Sequence, residues 1–256
     1  ADAILGEAWR GEIDTLDTAI SYGECEQLLG EIGVDQWQVI TKLPEVPETC
    51  ADVTSWVQDS VAGSLERLGV SKLRGLLLHY PQQLLGPHGD ELYRALVLAR
   101  DQGKVEKTGI SVYGPDELDA IWPSYQFDLV QAPFNILDRR LSSSGWLAQL
   151  HRSGTEIHIR SVFLQGLLLM DVASRPDKFN RWQSLWNDWH RWLTDHGLTP
   201  LQVCLSFAMS QPEINRVVVG VDSLKQLREI LACAKNFVTI SPESLMSNDL
   251  DLINPS

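Results

Sequence analysis

The chain has 256 residues, 44% of them hydrophobic and 21% charged, and a formal net charge of −13 from 21 basic and 34 acidic side chains. That mix is the mix of a globular protein, and the excess of carboxylates argues against nucleic acid or an anionic membrane as a general partner. No run of about 18 apolar residues is present, so no transmembrane helix is expected. No signal peptide is read at the start, and Cys25, Cys50, Cys204 and Cys233 are scattered without CxxC or His-rich spacing. They read as reduced thiols of a cytoplasmic protein, with no disulfide frame and no metal site.

Residues 1–12 read as a helix and 13–17 as a short strand ending at Asp17. Glu24–Ile32 returns to helix. Trp37–Lys42 is β-branched and apolar, the signature of a strand. Val57, Val61, Leu65 and Leu68 recur every three or four residues and predict a helix over Val53–Leu68. Leu73–His79 reads as a buried strand stopped by Pro81, and Glu91–Gln102 as a helix closed by Gly103. A strand over Lys107–Val112, a short helix over Pro115–Ile121 and a strand over Asp128–Gln131 follow. Gly145–Arg152 is the next helix and Glu156–Val162 the next strand. Helices are expected over Trp182–His196 and Pro200–Ser210, then a strand over Arg216–Gly220 and a helix over Ser223–Ala234. Trp182, Trp186, Trp189 and Trp192 share one helix face, expected to pack into the core or rim rather than to stack sugars. The C-terminal tail, 236–256, reads as loop from Ile240 onward.

Near-continuous apolar strands alternating with helices imply a parallel sheet covered by helices. A single α/β barrel domain over residues 1–256 is the expected architecture, with an open doubly wound sheet as the competitor. Neither GxGxxG after an early strand nor GxxxxGK[ST] is present. In a barrel of parallel strands the chemistry gathers at the carboxyl ends. Those ends carry Asp17 with Tyr22 in the loop beyond, Lys42, His79, Ser111, Gln131, Arg160 and Ser161. Singly, each has a structural explanation: a turn aspartate, a solvated lysine, a rim histidine. Together, Asp17 can hold Lys42 charged, Lys42 can make the phenol of Tyr22 a better acid, and Tyr22 and His79 can both donate to one carbonyl oxygen.

The run Asp17-Thr18-Ala19 with Tyr22-Gly23, then Thr41-Lys42, then Leu77-Leu78-His79, resembles the aldo-keto reductase family. Thr108-Gly109-Ile110-Ser111, Val130-Gln131 with Asn135, Arg160 through Gly166, and Gly220-Val221-Asp222-Ser223 match further landmarks in the same order, over residues 1 to about 235. The resemblance implies a metal-free (β/α)8 barrel that reduces aldehydes or ketones with NADP(H), NAD(H) being the other option. It makes Tyr22 the general acid, Asp17 and Lys42 its tuning pair, and His79 the residue that orients the carbonyl. It puts Ser111 and Gln131 on the nicotinamide amide and Arg160 against the nicotinamide ring. Ser161, Phe163, Gln165 and Gly166 fall on the pyrophosphate side, and Gly220, Asp222 and Gln226 after the last strand.

Three departures stand out. Val112 occupies the position where many members have Asn. Gly220 and Gln226 stand where many have the Lys and Arg that hold a 2′-phosphate, with Lys225 and Arg228 close by. The preference for NADPH is therefore expected to be reduced. The family's first barrel strand should precede residue 1, so seven strands are expected here, with upstream residues or another segment completing the barrel. The segments Gly109–Tyr113 and Gly220–Ser223 resemble sugar-handling members. A barrel that has lost turnover and serves as a cofactor-sensing or protein-interaction module is the rival reading, and the complete set Asp17, Tyr22, Lys42 and His79 favours the enzyme. A small-molecule carbonyl is the expected partner.

Overall fold

The computed structural model describes residues 1–238 and 245–254. Contacts divide the chain into two compact units: Ala1–Gln131 with Ser153–Glu156, and Ala132–Arg152 with Ile157–Ser256.

The first unit runs α1 (Asp2–Arg10), β1 (Thr15–Asp17), α2 (Cys25–Ile32), β2 (Gln38–Leu43), α3 (Val53–Leu68), β3 (Leu73–Leu78), α4 (Gly89–Asp101), β4 (Val105–Ser111), α5 (Pro115–Ile121) and the start of β5 (Leu129–Pro133). Its strands pair in chain order and all in parallel: β1 with β2, β2 with β3, β3 with β4, β4 with β5. The helix α3 shows why the local sequence folds as it does. Asp52 caps it by accepting from Ser55 N at 2.8 Å, Gly69 closes it in a left-handed conformation at φ 67°, and Val53, Val57, Val61, Ser64 and Leu68 form its buried face. It packs against α2 and α4.

The interior of the sheet centres on Ile40, Leu77 and Leu129, all fully buried. Two strand glycines leave them room. A Cβ on Gly75 would sit 3.3 Å from Ile40 Cγ1, and one on Gly109 would sit 2.4 Å from Leu77 Cδ2. Side chains two residues apart on a strand share a face. Lys42, His79 and Gln131 each lie two residues beyond one of the three core residues.

The second unit holds the end of β5, α6 (Arg140–Ser143), α7 (Trp146–Arg152), most of β6 (Glu156–Arg160), α8 (Gln183–His196), α9 (Pro200–Met209), β7 (Arg216–Val217), α10 (Leu224–Lys235) and α11 (Leu250–Ile253). The parallel pair β6–β7 is in register at His158 with Arg216 and Ile159 with Val217. Among the four aligned tryptophans, Trp186 and Trp189 are fully buried. Their indole N–H groups donate to Phe179 O at 3.0 Å and Leu168 O at 3.3 Å. The stripe is core at its centre, as its spacing implies, while Trp182 and Trp192 lie outside the buried set.

Several boundaries differ from the sequence reading. The strand expected over Glu156–Val162 ends at Arg160, because Ser161 takes φ 59° and cannot continue an extended chain. The strand expected over Arg216–Gly220 is a two-residue ladder. Val218 N still donates to Ile159 O at 2.8 Å, and the chain then leaves the sheet. Short 3₁₀ turns at Leu167–Leu169, Val172–Ser174 and Asp177–Trp182, and the helix α6, carry no periodic signal long enough to be read. In the tail, positions 239–244 and 255–256 lie outside the described residues, and Leu250–Ile253 is helical, capped by Asp249. Seven strands are present among the described residues, as expected.

Gly109→Ala tests the core geometry. Its Cβ would approach Leu129 O to 2.3 Å, a contact with backbone that no rotamer relieves. The variant is expected to lose about 1–3 kcal/mol of stability, read as a lower urea midpoint. An unchanged midpoint would refute this account of the interior.

Candidate functional site

The first unit builds a polar cluster at the ends of its strands. Asp17 is the last residue of β1. The chain beyond it keeps climbing along β2, with Thr18 N donating to Ile40 O at 2.8 Å and Ile20 N to Lys42 O at 3.1 Å. It then turns through Tyr22 N to Ala19 O at 3.0 Å, with Gly23 at φ 59°, before α2 begins. The turn leaves the Tyr22 ring beside Lys42 and His79. His79 extends β3, its N–H donating to Leu43 O at 3.1 Å.

Lys42 is 1% exposed. Its Nζ donates to Asp17 Oδ1 at 2.5 Å and to Thr18 O at 2.9 Å, and lies 5.4 Å from the centroid of the Tyr22 ring. The second oxygen of Asp17 accepts from Gln131 Nε2 at 2.7 Å. Tyr22 is 49% exposed. Its ring meets His79 edge-on, with centroids 5.8 Å apart at 77°. The Ser21 hydroxyl lies 3.3 Å from His79 Nδ1. A buried cation, a carboxylate that holds it, and two rings at the open side thus converge.

Two features were not foreseen. Gln131, assigned by resemblance to a cofactor amide, is in this structure a ligand of Asp17. Ser111 is buried in register with Gln131, and Val112 is fully buried, its N–H donating to Gln131 O at 2.8 Å. The other feature is the buried carboxylate of Glu26 on α2. It accepts from Thr41 Oγ1 at 2.6 Å, from Ser64 Oγ at 3.1 Å and from Arg67 Nη2 at 2.7 Å. This network ties α2 to β2 and α3 one residue before Lys42. Its only sequence signal is a glutamate on the apolar face of a helix, with no hint of its partners.

The second unit contains a cavity of about 550 Å³, within the size range of small-molecule sites. Ser161, Phe163, Gln165, Gly166, Gly220, Asp222 and Gln226, all expected cofactor residues, line it. Arg160 stands at its edge, with Nη1 3.3 Å from Ser161 Oγ. The wall from Ser161 to Gly166 is an unusual backbone. Ser161, Leu164, Gln165 and Gly166 all have positive φ, at 59°, 48°, 53° and 88°. Turn hydrogen bonds fix it, Leu164 N to Ser161 O at 2.8 Å and Gly166 N to Phe163 O at 2.9 Å, and Asn135 Nδ2 clamps Ser161 O at 3.0 Å. Opposite it is the start of α10, where Ser223 Oγ accepts from Gln226 N at 3.2 Å and Gln226 Oε1 accepts from Asp222 N at 2.8 Å. Among the described residues no group of three metal-ligating side chains is found, and no helix is long and apolar enough to cross a membrane.

The family model for the aldo/keto reductase family matches residues 1–248. No curated protein matches the sequence closely enough to count as a relative. Solved structures share the fold. The aldo-keto reductase AKR11C1 from Bacillus halodurans superposes in its apo form with a TM-score of 0.76 at 19% identity, covering 95% of this chain and 83% of that one. Its holo form gives 0.74 at 18% identity, covering 95% and 89%. The thermostable aldo-keto reductase Tm1743, solved with the inhibitor epalrestat, gives 0.71 at 20% identity, covering 95% and 84%. These likenesses show a (β/α)8 barrel fold, of which seven strands lie among the described residues.

Gln131→Met keeps the shape of the side chain and removes the donor to Asp17. It is expected to cost about 1.5–3 kcal/mol in a urea unfolding titration, the range for a hydrogen bond to a charged group. A midpoint equal to the parent's would show that Gln131 is not a structural partner of Asp17.

Proposed function

The chain belongs to the aldo/keto reductase family, an oxidoreductase family acting on small-molecule carbonyls with nicotinamide cofactors, and from that premise we propose that it reduces an aldehyde or ketone with Tyr22 as the general acid. The observation that carries the reading is the buried Lys42 ammonium, held by Asp17 and 5.4 Å from the Tyr22 ring centroid. A phenol is a weak acid, losing its proton in water only around pH ~10. A cation kept dry beside it favours the phenolate and so eases release of the proton.

Each residue then has a task. Tyr22 gives its hydroxyl proton to the carbonyl oxygen as that oxygen gains charge. Lys42 stabilises the phenolate left behind. Asp17 and Gln131 keep Lys42 in place and charged. His79 is the second donor to the same oxygen. If the Ser21 hydroxyl donates to Nδ1, the neutral imidazole carries its proton on Nε2, the nitrogen needed for that role. The half-exposed Tyr22 and the exposed Tyr80 beside His79 give the substrate an open, partly aromatic approach.

The cofactor residues fit a dinucleotide. The cavity of the second unit gathers seven of them, and its backbone wall and helix start supply N–H groups suited to phosphate oxygens. When bound, NADPH or NADH supplies the hydride. Ser161, Gln165, Gly166 and the start of α10 would hold its phosphate-bearing part. Sugars and sugar derivatives are the first carbonyl substrates to try, on the resemblance of Gly109–Tyr113 and Gly220–Ser223 to sugar-handling members.

A panel of aldehydes, ketones and aldoses, followed by the absorbance of the reduced nicotinamide, tests the activity. In the best substrate Tyr22→Phe is expected to lose about 10²–10⁴-fold in kcat, the usual worth of general acid catalysis, with cofactor affinity unchanged. Lys42→Met should do comparable harm. Full activity in purified Tyr22→Phe protein would overturn the assignment.

A further inference from the structure

The cavity of the second unit has carboxylates on its wall and, among its described lining residues, no lysine or arginine. Its polar side chains are Ser161, Gln165, Asp222, Gln226 and Glu229. At the two positions where the family resemblance expects a phosphate-binding cation, the structure shows why none acts. Gln226 is neutral, and its carbonyl oxygen is engaged by Asp222 N at 2.8 Å. Gly220 has no atom within 4 Å of the place a Cβ would take, so a longer side chain would fit and steric need does not explain the glycine. The nearby Lys225 is not itself a lining residue and pairs with a lining carboxylate. Its side chain is 87% exposed and its Nζ lies 3.8 Å from Glu229 Oε1, one turn along the same helix.

We infer, resting on the cofactor reading above, that this cavity selects the dinucleotide lacking a 2′-phosphate, NADH, over NADPH, with Asp222 as the selecting residue. A ribose hydroxyl is neutral and can donate to a carboxylate. A phosphate monoester at the same carbon carries a charge of about −1.5 to −2 near pH 7. It would meet Asp222, which lines the cavity and forms no ion pair among the described residues, whereas Glu229 already faces Lys225 at 3.8 Å, and like charges brought together across an interface disfavour the complex. The pyrophosphate is common to both cofactors, so the wall from Ser161 to Gly166 does not discriminate. The expectation of a merely reduced NADPH preference becomes a preference for the other form.

The test is direct binding, without turnover. Dissociation constants for NADH and NADPH are measured on the full chain by calorimetry, at one fixed ionic strength. The parent is expected to bind NADH at least tenfold more tightly. Asp222→Asn should narrow that ratio through tighter NADPH binding. Asp222→Arg should bring NADPH affinity to or above that of NADH. Asp222 sits on an exposed turn, and circular dichroism confirms that both variants are folded. Parent affinities within threefold of each other, or a preference for NADPH, overturn the inference while leaving the carbonyl-reductase reading intact. If neither cofactor binds the folded parent, the cofactor reading and this inference fall together.

Discussion

An ammonium group shut away from water is the constraint on which the first unit depends. Lys42 has almost no exposed surface, and taking such an ion out of water costs several kcal/mol even after relaxation. The cost is offset only where the charge is met at close range. Asp17 Oδ1 and the carbonyl of Thr18 meet it, and Gln131 in turn satisfies the other oxygen of Asp17. Removing one partner of a buried pair typically costs about 3–5 kcal/mol, because the other charge is left stranded. The loop after β1 therefore cannot wander. Its backbone is part of the lysine's coordination, and Tyr22 rides on that loop. The same contacts that make burial tolerable also hold the Tyr22 ring beside the ammonium.

Much of this was legible because barrel chemistry obeys a period of two. Ile40, Leu77 and Leu129 read as strand interior from their apolar surroundings. Two residues further on, each strand presents Lys42, His79 or Gln131 to the same side. A strand whose apolar register ends in a polar residue, repeated three times, is a sequence-level signal of convergence. Pairwise detail was not legible. Nothing in the spelling of Gln131 says that its amide turns to Asp17, because that depends on a distance across the sheet. Glu26 was invisible for the same reason: its partners Thr41, Ser64 and Arg67 come from two other elements, and only the fold brings them to one carboxylate.

The second unit was less legible, and its backbone explains why. The segment 161–166 visits left-handed conformations at Ser161, Leu164 and Gln165 as well as at Gly166. Only the glycine advertises that geometry in sequence. The others are held there by turn hydrogen bonds and by the Asn135 clamp, so a strand read through to Val162 stops at Arg160. Conformations that L-residues adopt reluctantly persist where the surroundings over-determine them, and here they shape one wall of the cavity. At the far end of the same cavity, the two-residue β7 frees Val218 to Asp222 to become lining rather than sheet.

The carboxylate of Glu156 gives the order of synthesis a structural meaning. It belongs with the first unit, although twenty-one residues of the second, Ala132–Arg152, are made before it. Its Oε2 receives Arg74 at 2.7 Å and Lys107 at 2.5 Å, two cations from β3 and β4 that are drawn toward one anion. As the chain leaves the ribosome, β1 to β4 can assemble with Asp17 and Lys42 already together, while Arg74 and Lys107 face each other with like charge. Glu106 of β4 already takes Arg74 at 2.6 Å, and position 156 then adds the carboxylate shared by Arg74 and Lys107. The first unit thus receives its last segment, 153–156, after a stretch of the second has been made, and the carboxylate shared by β3 and β4 is the last of its charges to arrive.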